Sequence, residues 1–495
     1  MNWIAGRIRK GLIDIATNES LFLFTAFLAY GFLKMTPLAW YTEQINALIS
    51  FVVVPWGAAL CMLRLMRAQQ KQLSAQWDIG ILFVMLLWVG VPFIIRFGFT
   101  NVNVNNWFQN MVTAFGLYAL VSEESVARRE KMLDWASALF ALISFVIGAA
   151  LLYCAVTVQT WGEDIGAYGF GLYNGTFLTA GLYYNSTGML ALCCALMSLM
   201  GVFRRRTLVA RLAHLVPAVM MMLVVVLTQS RTARYSLLAS LAVASYSVVA
   251  NGSRFKAGIR RYVLAVMVGA IVLVGGYIGS DAITRTAIIH YNTHNQNEQS
   301  NTLSFWVAEA CAEEGQADSS AVSEAESEIT SESLGRGLGD MTFTGRTMLW
   351  KKLFSLWAEN PWHFLIGRGA GNTGKYIVQG TFLEAQGSAT THNTYLQFIA
   401  DYGLIVMVIY IGFFISIIRP VMKVFNAKSS CFQCGYLVLC MIVIASLLTG
   451  MMESEPLAAM TPINAVLFFS LGALVNRGRE CLRRSEETGR SSLPL

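Results

Sequence analysis

The residues able to do chemistry outside the apolar segments of this chain are a histidine and a few arginines. The stretch THNTYLQFIADYGLIV (391–406) opens polar, carries His392 and turns lipid-like within a few helical turns. Imidazole changes charge near neutral pH, so His392 is suited to general-base work on a hydroxyl brought within hydrogen-bond reach. Arg231 lies in a short turn between two apolar runs, where a charge needs a reason, and Arg346 heads a segment of helical periodicity. Guanidinium forks grip oxyanions bidentately and stay charged at any accessible pH. Arg234 and Arg368 are secondary cations. Asp401 falls too far along a regular helix, and on nearly the opposite face, to touch His392; its expected partners are Arg346, another loop or solvent. Glu163 and Asp164 stand in reserve as bases. Each assignment has a plainer rival: His392 as a helix cap, and Arg231 as a snorkelling residue at a helix end.

Metal chemistry has weaker support. His290 and His294 in HYNTH could share a helix face, but no HExxH glutamate accompanies them. Cys431 and Cys434 form a CxxC that lacks two further ligands nearby. The other cysteines lie mostly in apolar runs and make no disulfide framework. Neither a metal nor another cofactor is expected.

Composition sets the elements that must position these groups. Of 495 residues, 55% are hydrophobic and 13% charged, with mean hydropathy +0.53, too apolar for an ordinary soluble domain. About twelve apolar runs approach bilayer-crossing length. They fall near 20–36, 45–63, 79–96, 107–122, 134–158, 186–203, 208–228, 235–250, 262–279, 402–418, 432–450 and 457–475. Basic residues gather in every second loop, as at Arg128, Arg129 and Lys131 or at Arg204, Arg205 and Arg206. Positive loops stay in the cytoplasm, so both termini are expected there, with the first apolar run a retained span rather than a cleaved signal. The net charge of +7 then reads as topology signal and anionic-lipid contact, with no nucleic acid implied.

The expected organisation is all-α. Residues 1–279 form a membrane domain of about nine spans, 280–401 a long extracytoplasmic loop, 402–476 the last spans, and 477–495 a cytoplasmic tail. Within the loop, 307–340 is an acidic, Ser- and Ala-rich insert with little to bury, expected to be disordered or loosely helical. The catalytic helices are expected in 341–401. Met348, Leu349, Leu353, Leu356 and Trp357 recur at helical spacing, which predicts an amphipathic helix on the membrane face, ended by Asn360 and Pro361. GRGAGNTG (367–374) follows as a glycine-rich loop permitting close backbone approach to a ligand. The outer stretch of 159–188 mixes aromatics, Gly and Asn, suited to stacking on sugars or to an interfacial belt.

GRTMLWKKLFSLWAENPWHFLIGRGAGN (345–372), HNTYLQFIADYGLIV (392–406) and TQSRTARYSLLAS (228–240) together resemble the O-antigen ligase and polymerase family, over a similar whole-chain plan. Asp401 stands where that family often shows Glu, and the acidic insert is unusual. The resemblance implies a GT-C-like polytopic enzyme of the bacterial inner membrane with an extracytoplasmic active site. It implies a donor glycan on undecaprenyl diphosphate, and an acceptor that is a glycan, lipid or cell-wall hydroxyl. Arg231 and Arg346 map onto diphosphate-binding arginines that could stand in for a divalent metal, and His392 onto the essential histidine. Direct displacement would invert the anomeric configuration. A ligase is the expected activity; the alternative is a polymerase joining lipid-linked repeat units, and a transporter of lipid-linked glycan ranks third, because mid-bilayer charges and repeat symmetry are nearly absent.

Overall fold

The computed structural model of the chain describes residues 24–26, 77–97, 116–161, 170–173, 176–178, 184–228, 230–251, 259–313, 344–369, 372–377, 379, 391–426, 431–451, 453 and 462–491. Its helices, in chain order, are α1 (Trp77–Phe97), α2 (Leu117–Ser122), α3 (Val126–Thr157), α4 (Tyr184–Arg204), α5 (Leu208–Leu227), α6 (Arg231–Asn251) and α7 (Ile259–Glu313). They continue with α8 (Thr344–Glu359), α9 (Pro361–Ile366), α10 (Asn372–Ile377), α11 (Thr394–Tyr402), α12 (Leu404–Phe425), α13 (Cys431–Gly450) and α14 (Pro462–Ser491). Six helices among the described residues are long and apolar enough to cross a membrane: α3, α4, α5, α6, the first part of α7 and α12. α1 and α13 carry shorter apolar stretches. The expected runs near 45–63 and most of 20–36 and 107–122 lie outside the described residues, as do Glu163 and Asp164.

The described residues are overwhelmingly helical, as expected, with one small addition. A small antiparallel sheet, β1 (Thr160–Trp161), β2 (Phe170–Tyr173) and β3 (Thr176–Leu178), lies between α3 and α4. Tyr173 pairs with Thr176, bracketing Asn174-Gly175, the dipeptide that tight hairpins favour. Within the aromatic, Gly-rich stretch, residues 160–161, 170–173 and 176–178 thus pair their backbone as strands.

α4 is the central helix. From Met189 to Met197 nearly every side chain is buried, and α3, α5 and α13 pack around it. α7 is peripheral: it packs chiefly on α6 and exposes Val266, Ile271, Val274 and Ile278, as a lipid-facing helix does. It continues without a break past residue 279 to Glu313, so the first residues of the acidic insert are helical. Residues 314–343 lie outside the described set.

At one end of the bundle an ionic network joins α3, α4, α13 and α14. Arg129 has no exposure at all; its guanidinium reaches Glu480 at 2.9 Å and Glu130 at 2.8 Å. Glu130 also receives Arg204 Nη1 at 2.9 Å and the Tyr436 hydroxyl, while Arg204 Nε donates to Asp134 at 2.8 Å. Charges at the end of an apolar bundle are tolerated when each finds an opposite partner and hydrogen bonds. Replacing Glu130 with Ala removes the carboxylate shared by Arg129 and Arg204 and leaves Arg129 to Glu480 and Arg204 to Asp134. It should cost about 1–3 kcal/mol, read as a lowered thermal midpoint in detergent.

Candidate active site

The opposite end of the bundle gathers three helix N-termini. α6 begins at Arg231, straight after the α5–α6 turn; Ser230 Oγ accepts from Ala233 N at 3.3 Å. α8 begins at Thr344 and carries Arg346 in its first turn. α11 is capped by Asn393, whose side chain accepts from Leu396 N at 3.0 Å. The cap is therefore Asn393, and His392, the residue before it, is left for another role. A helix N-terminus carries partial positive charge, so an arginine in the first turn is unfavourable unless an anion is near.

That anion is Glu453, in the segment between α13 and α14. Its side chain is 8% exposed. Oε1 accepts from Arg346 Nη2 at 3.1 Å and from Thr232 Oγ1 at 3.2 Å, and Oε2 lies 3.5 Å from His392 Nδ1. One carboxylate thus faces a residue from each of the three helix N-termini. Nothing in the sequence pattern singled it out. An acid in the MMESEP segment beyond the last turn of an apolar run, with Glu455 two residues on, reads as a solvated loop charge until the fold shows it buried.

Backbone contacts hold this arrangement. Glu453 N donates to Thr449 O at 2.9 Å, continuing the last turn of α13, and Thr394 Oγ1 donates to Glu453 O at 2.6 Å. Asn393 Nδ2 donates to Met451 O at 3.0 Å and the Tyr395 hydroxyl to Leu447 O at 2.8 Å, so the His392 turn is stitched to the end of α13. α8 joins the same turn through Trp350 Nε1, which donates to Thr391 O at 2.7 Å. His392 itself has φ 49°, a left-handed conformation that costs a non-glycine residue about 1–3 kcal/mol and persists only where its surroundings enforce it.

α8 does form where its periodicity places it, and its apolar stripe packs on the chain itself where a membrane face was expected to cover it. Leu349, Leu353 and Leu356 are buried against Ile377 and Ala400, with Trp357, Tyr376 and Leu396 at the margin. The stripe is covered by α10 and α11, which offer it a closer apolar partner than the bilayer surface. The glycine-rich loop is likewise used internally. Gly367 (φ 82°) and Gly403 (φ 90°) cross so closely that a Cβ on Gly367 would sit 2.4 Å from Asp401 O, and one on Gly403 2.2 Å from Leu365 O. Arg368 N and Gly369 N donate to Ala400 O and Asp401 O, both at 2.9 Å. The close approach at these positions is to the chain's own backbone, and it locks α9 onto the α11–α12 joint.

The remaining sequence candidates fall at different distances from Glu453. Arg231 is exposed and immediately precedes Thr232. Arg234, one turn further along α6, is 6% exposed. Its guanidinium stacks on Tyr235 and Tyr277 at 5.5 and 5.6 Å; no carboxylate among the described residues pairs with it. Arg368 stacks over Tyr376 at 4.8 Å, in the layer of α8 to α11. His290 Nε2 lies 3.3 Å from Val156 O, away from these residues. Asp401 touches neither Arg346 nor His392. Its carboxyl accepts from Gln397 Nε2 at 3.0 Å, and Gln397 Oε1 accepts from Thr391 N at 2.9 Å, so Asp401 supports the His392 turn at one remove.

Compared with known families, residues 216–411 match the O-antigen ligase model. The matched segment contains Arg231, Arg234, Arg346, Arg368, His392 and Asp401, and ends before Glu453. No curated protein matches the chain.

Two outcomes follow for stability. His392→Gly relieves the left-handed backbone, so the variant should melt no lower than the wild type. Burial pushes the Asp401 carboxyl up to about 7 from its ordinary 3.8, against hydrogen bonds from Gln397 and Thr373 that lower it. Between those values the folded chain keeps a proton that the unfolded chain has shed. Stability should therefore fall as pH rises from about 4 to about 7 and level off above. Asp401→Asn should flatten that slope and raise the thermal midpoint at pH 8.

Proposed function

We propose, for a chain that its domain at 216–411 assigns to the O-antigen ligase and polymerase family, that the Glu453 end of the bundle transfers a glycan from a polyprenyl diphosphate to an acceptor hydroxyl. Members of this family are membrane glycosyltransferase-type enzymes acting on lipid-linked glycans. The observation that carries the reading is the meeting of Arg346 and His392 on one buried carboxylate, at the convergence of three positive helix ends.

Glycosyl transfer must stabilise negative charge that builds on the departing diphosphate. Helix N-termini and guanidinium groups supply preorganised positive charge. Arg346 and Arg231 are the diphosphate ligands in this reading. A guanidinium presents its N–H donors as a rigid fork that matches phosphate oxygens. Arg234, buried with no carboxylate among the described residues, is a third cation within a turn of Arg231; Arg368 and Asp401 serve the supporting layer. The acceptor hydroxyl attacks the anomeric carbon as His392 takes its proton. The bond to the diphosphate oxygen breaks with its electron pair on polyprenyl diphosphate, and the configuration inverts. No metal ion is assigned a role.

The end of the bundle rich in Arg129, Arg204 and Arg477 faces the cytoplasm in this reading, and the site faces outward at the surface of the bacterial inner membrane, with undecaprenyl diphosphate the donor carrier. We read the activity as ligase-like. The polymerase alternative shares donor and chemistry and differs only in the acceptor.

The test uses purified enzyme in proteoliposomes with a chelator, polyprenyl-diphosphate oligosaccharide and envelope acceptors. Wild type should release the lipid diphosphate, and His392→Ala should lose at least about 100-fold in rate while keeping its fold. Arg346→Lys should also be severely impaired, since an ammonium cannot reproduce the fork; a fully active Lys variant would count against the bidentate role. A product ladder would select polymerase over single transfer. Movement of intact lipid-linked sugar without release would sink the enzymatic reading.

A further inference from the structure

We infer that Glu453 is a positioning residue for the transfer, holding His392 in the tautomer that accepts a proton and tying it to the occupancy of Arg346. The inference rests on the roles proposed above for His392 and Arg346. It concerns a residue outside the family-matched segment, contributed by the junction between α13 and α14.

For one imidazole nitrogen to take a proton from an acceptor hydroxyl, the other must carry the hydrogen. Glu453 Oε2 faces Nδ1 at 3.5 Å, so a carboxylate there favours Nδ1–H and leaves Nε2 with its lone pair. It also offsets the imidazolium that forms, as the acidic member of a catalytic triad does. The separation exceeds a normal hydrogen bond. Such contacts are often long in unliganded enzymes and tighten when substrate arrives.

The other carboxylate oxygen supplies the reason for tightening. Oε1 is engaged by Arg346 and Thr232, which turns the carboxylate toward the guanidinium. A diphosphate on Arg346 competes for the same N–H groups. As that bond weakens, the carboxylate is freed to close on Nδ1–H, so the base is set when the donor is bound. The backbone of Glu453 stays fixed meanwhile by Thr394 and Thr449, so the motion is confined to the side chain.

The test combines kinetics with spectroscopy. In proteoliposomes, Glu453→Gln should lower kcat on the order of 10²- to 10⁴-fold and change the donor KM far less. Glu453→Asp should recover part of the loss. In a His392→Ala background, Glu453→Gln should cost nothing further. Wild-type kcat in Glu453→Gln, with His392→Ala inactive, overturns the positioning role and leaves the transferase reading intact; full activity in His392→Ala overturns His392 as the base, and the inference with it, while absence of diphosphate release from the wild type overturns the transferase reading itself. Should the Gln variant fail to fold, ¹⁵N resonances of His392 in the wild-type protein decide: an Nδ1–H tautomer is expected, and an Nε2–H tautomer overturns the inference.

Discussion

A charge inside an apolar bundle must find an opposite charge, and in this chain that constraint is met at the bundle's two ends. At one end Arg129, without solvent exposure, is matched by Glu130 and Glu480. At the other, Glu453 answers Arg346 beside Thr232 and His392. The two ends differ in kind. The first is a densely paired network linking α3, α4, α13 and α14, which suits a joint. The second sets one carboxylate, among the described residues, amid three positive helix ends, an arrangement suited to receiving an anion.

The site end is held by a small layer whose own core is modest. Leu349, Leu353 and Leu356 pack on Ile377 and Ala400, and the crossing of Gly367 with Gly403 replaces side-chain contact by backbone hydrogen bonds. A backbone crossing this tight has little freedom to slide. It fixes α9 against the start of the spanning helix α12, while Trp350 ties α8 to Thr391. Arg346 and His392 are therefore positioned from two directions, by α8 and by the end of α13. The left-handed backbone at His392 shows that the surroundings override a local preference, as a site needing one side-chain direction requires.

Asp401 belongs to the same layer through hydrogen bonding alone. Its buried carboxyl, pushed up to about 7 by burial, needs no cation partner in the protonated form. The link from Asp401 through Gln397 to Thr391 makes it a brace for the His392 turn. Arg234 is the contrasting case, since arginine cannot shed its charge. Stacked on two tyrosines with no carboxylate among the described residues, it is a cation whose burial makes most sense beside an incoming anion.

Membrane class, the positions of the apolar helices α3 to α6, the first part of α7, α12 and α13, the helix at 344–359 and its stop at Asn360-Pro361 could all be read from the sequence. They depend on local quantities: apolar run length, periodicity and the backbone limits of proline and asparagine. The chemistry of His392, Arg231 and Arg346 was legible as residue type and, through resemblance, as role. What covered the apolar face of α8, the destination of the close approach at Gly367, the partners of Asp401, and Glu453 itself were decided by tertiary structure. Glu453 is sixty-one residues from His392, 107 from Arg346 and 221 from Thr232. No local pattern encodes contacts at such separations, because they exist only once packing of the bundle has brought three helix N-termini to the end of α13.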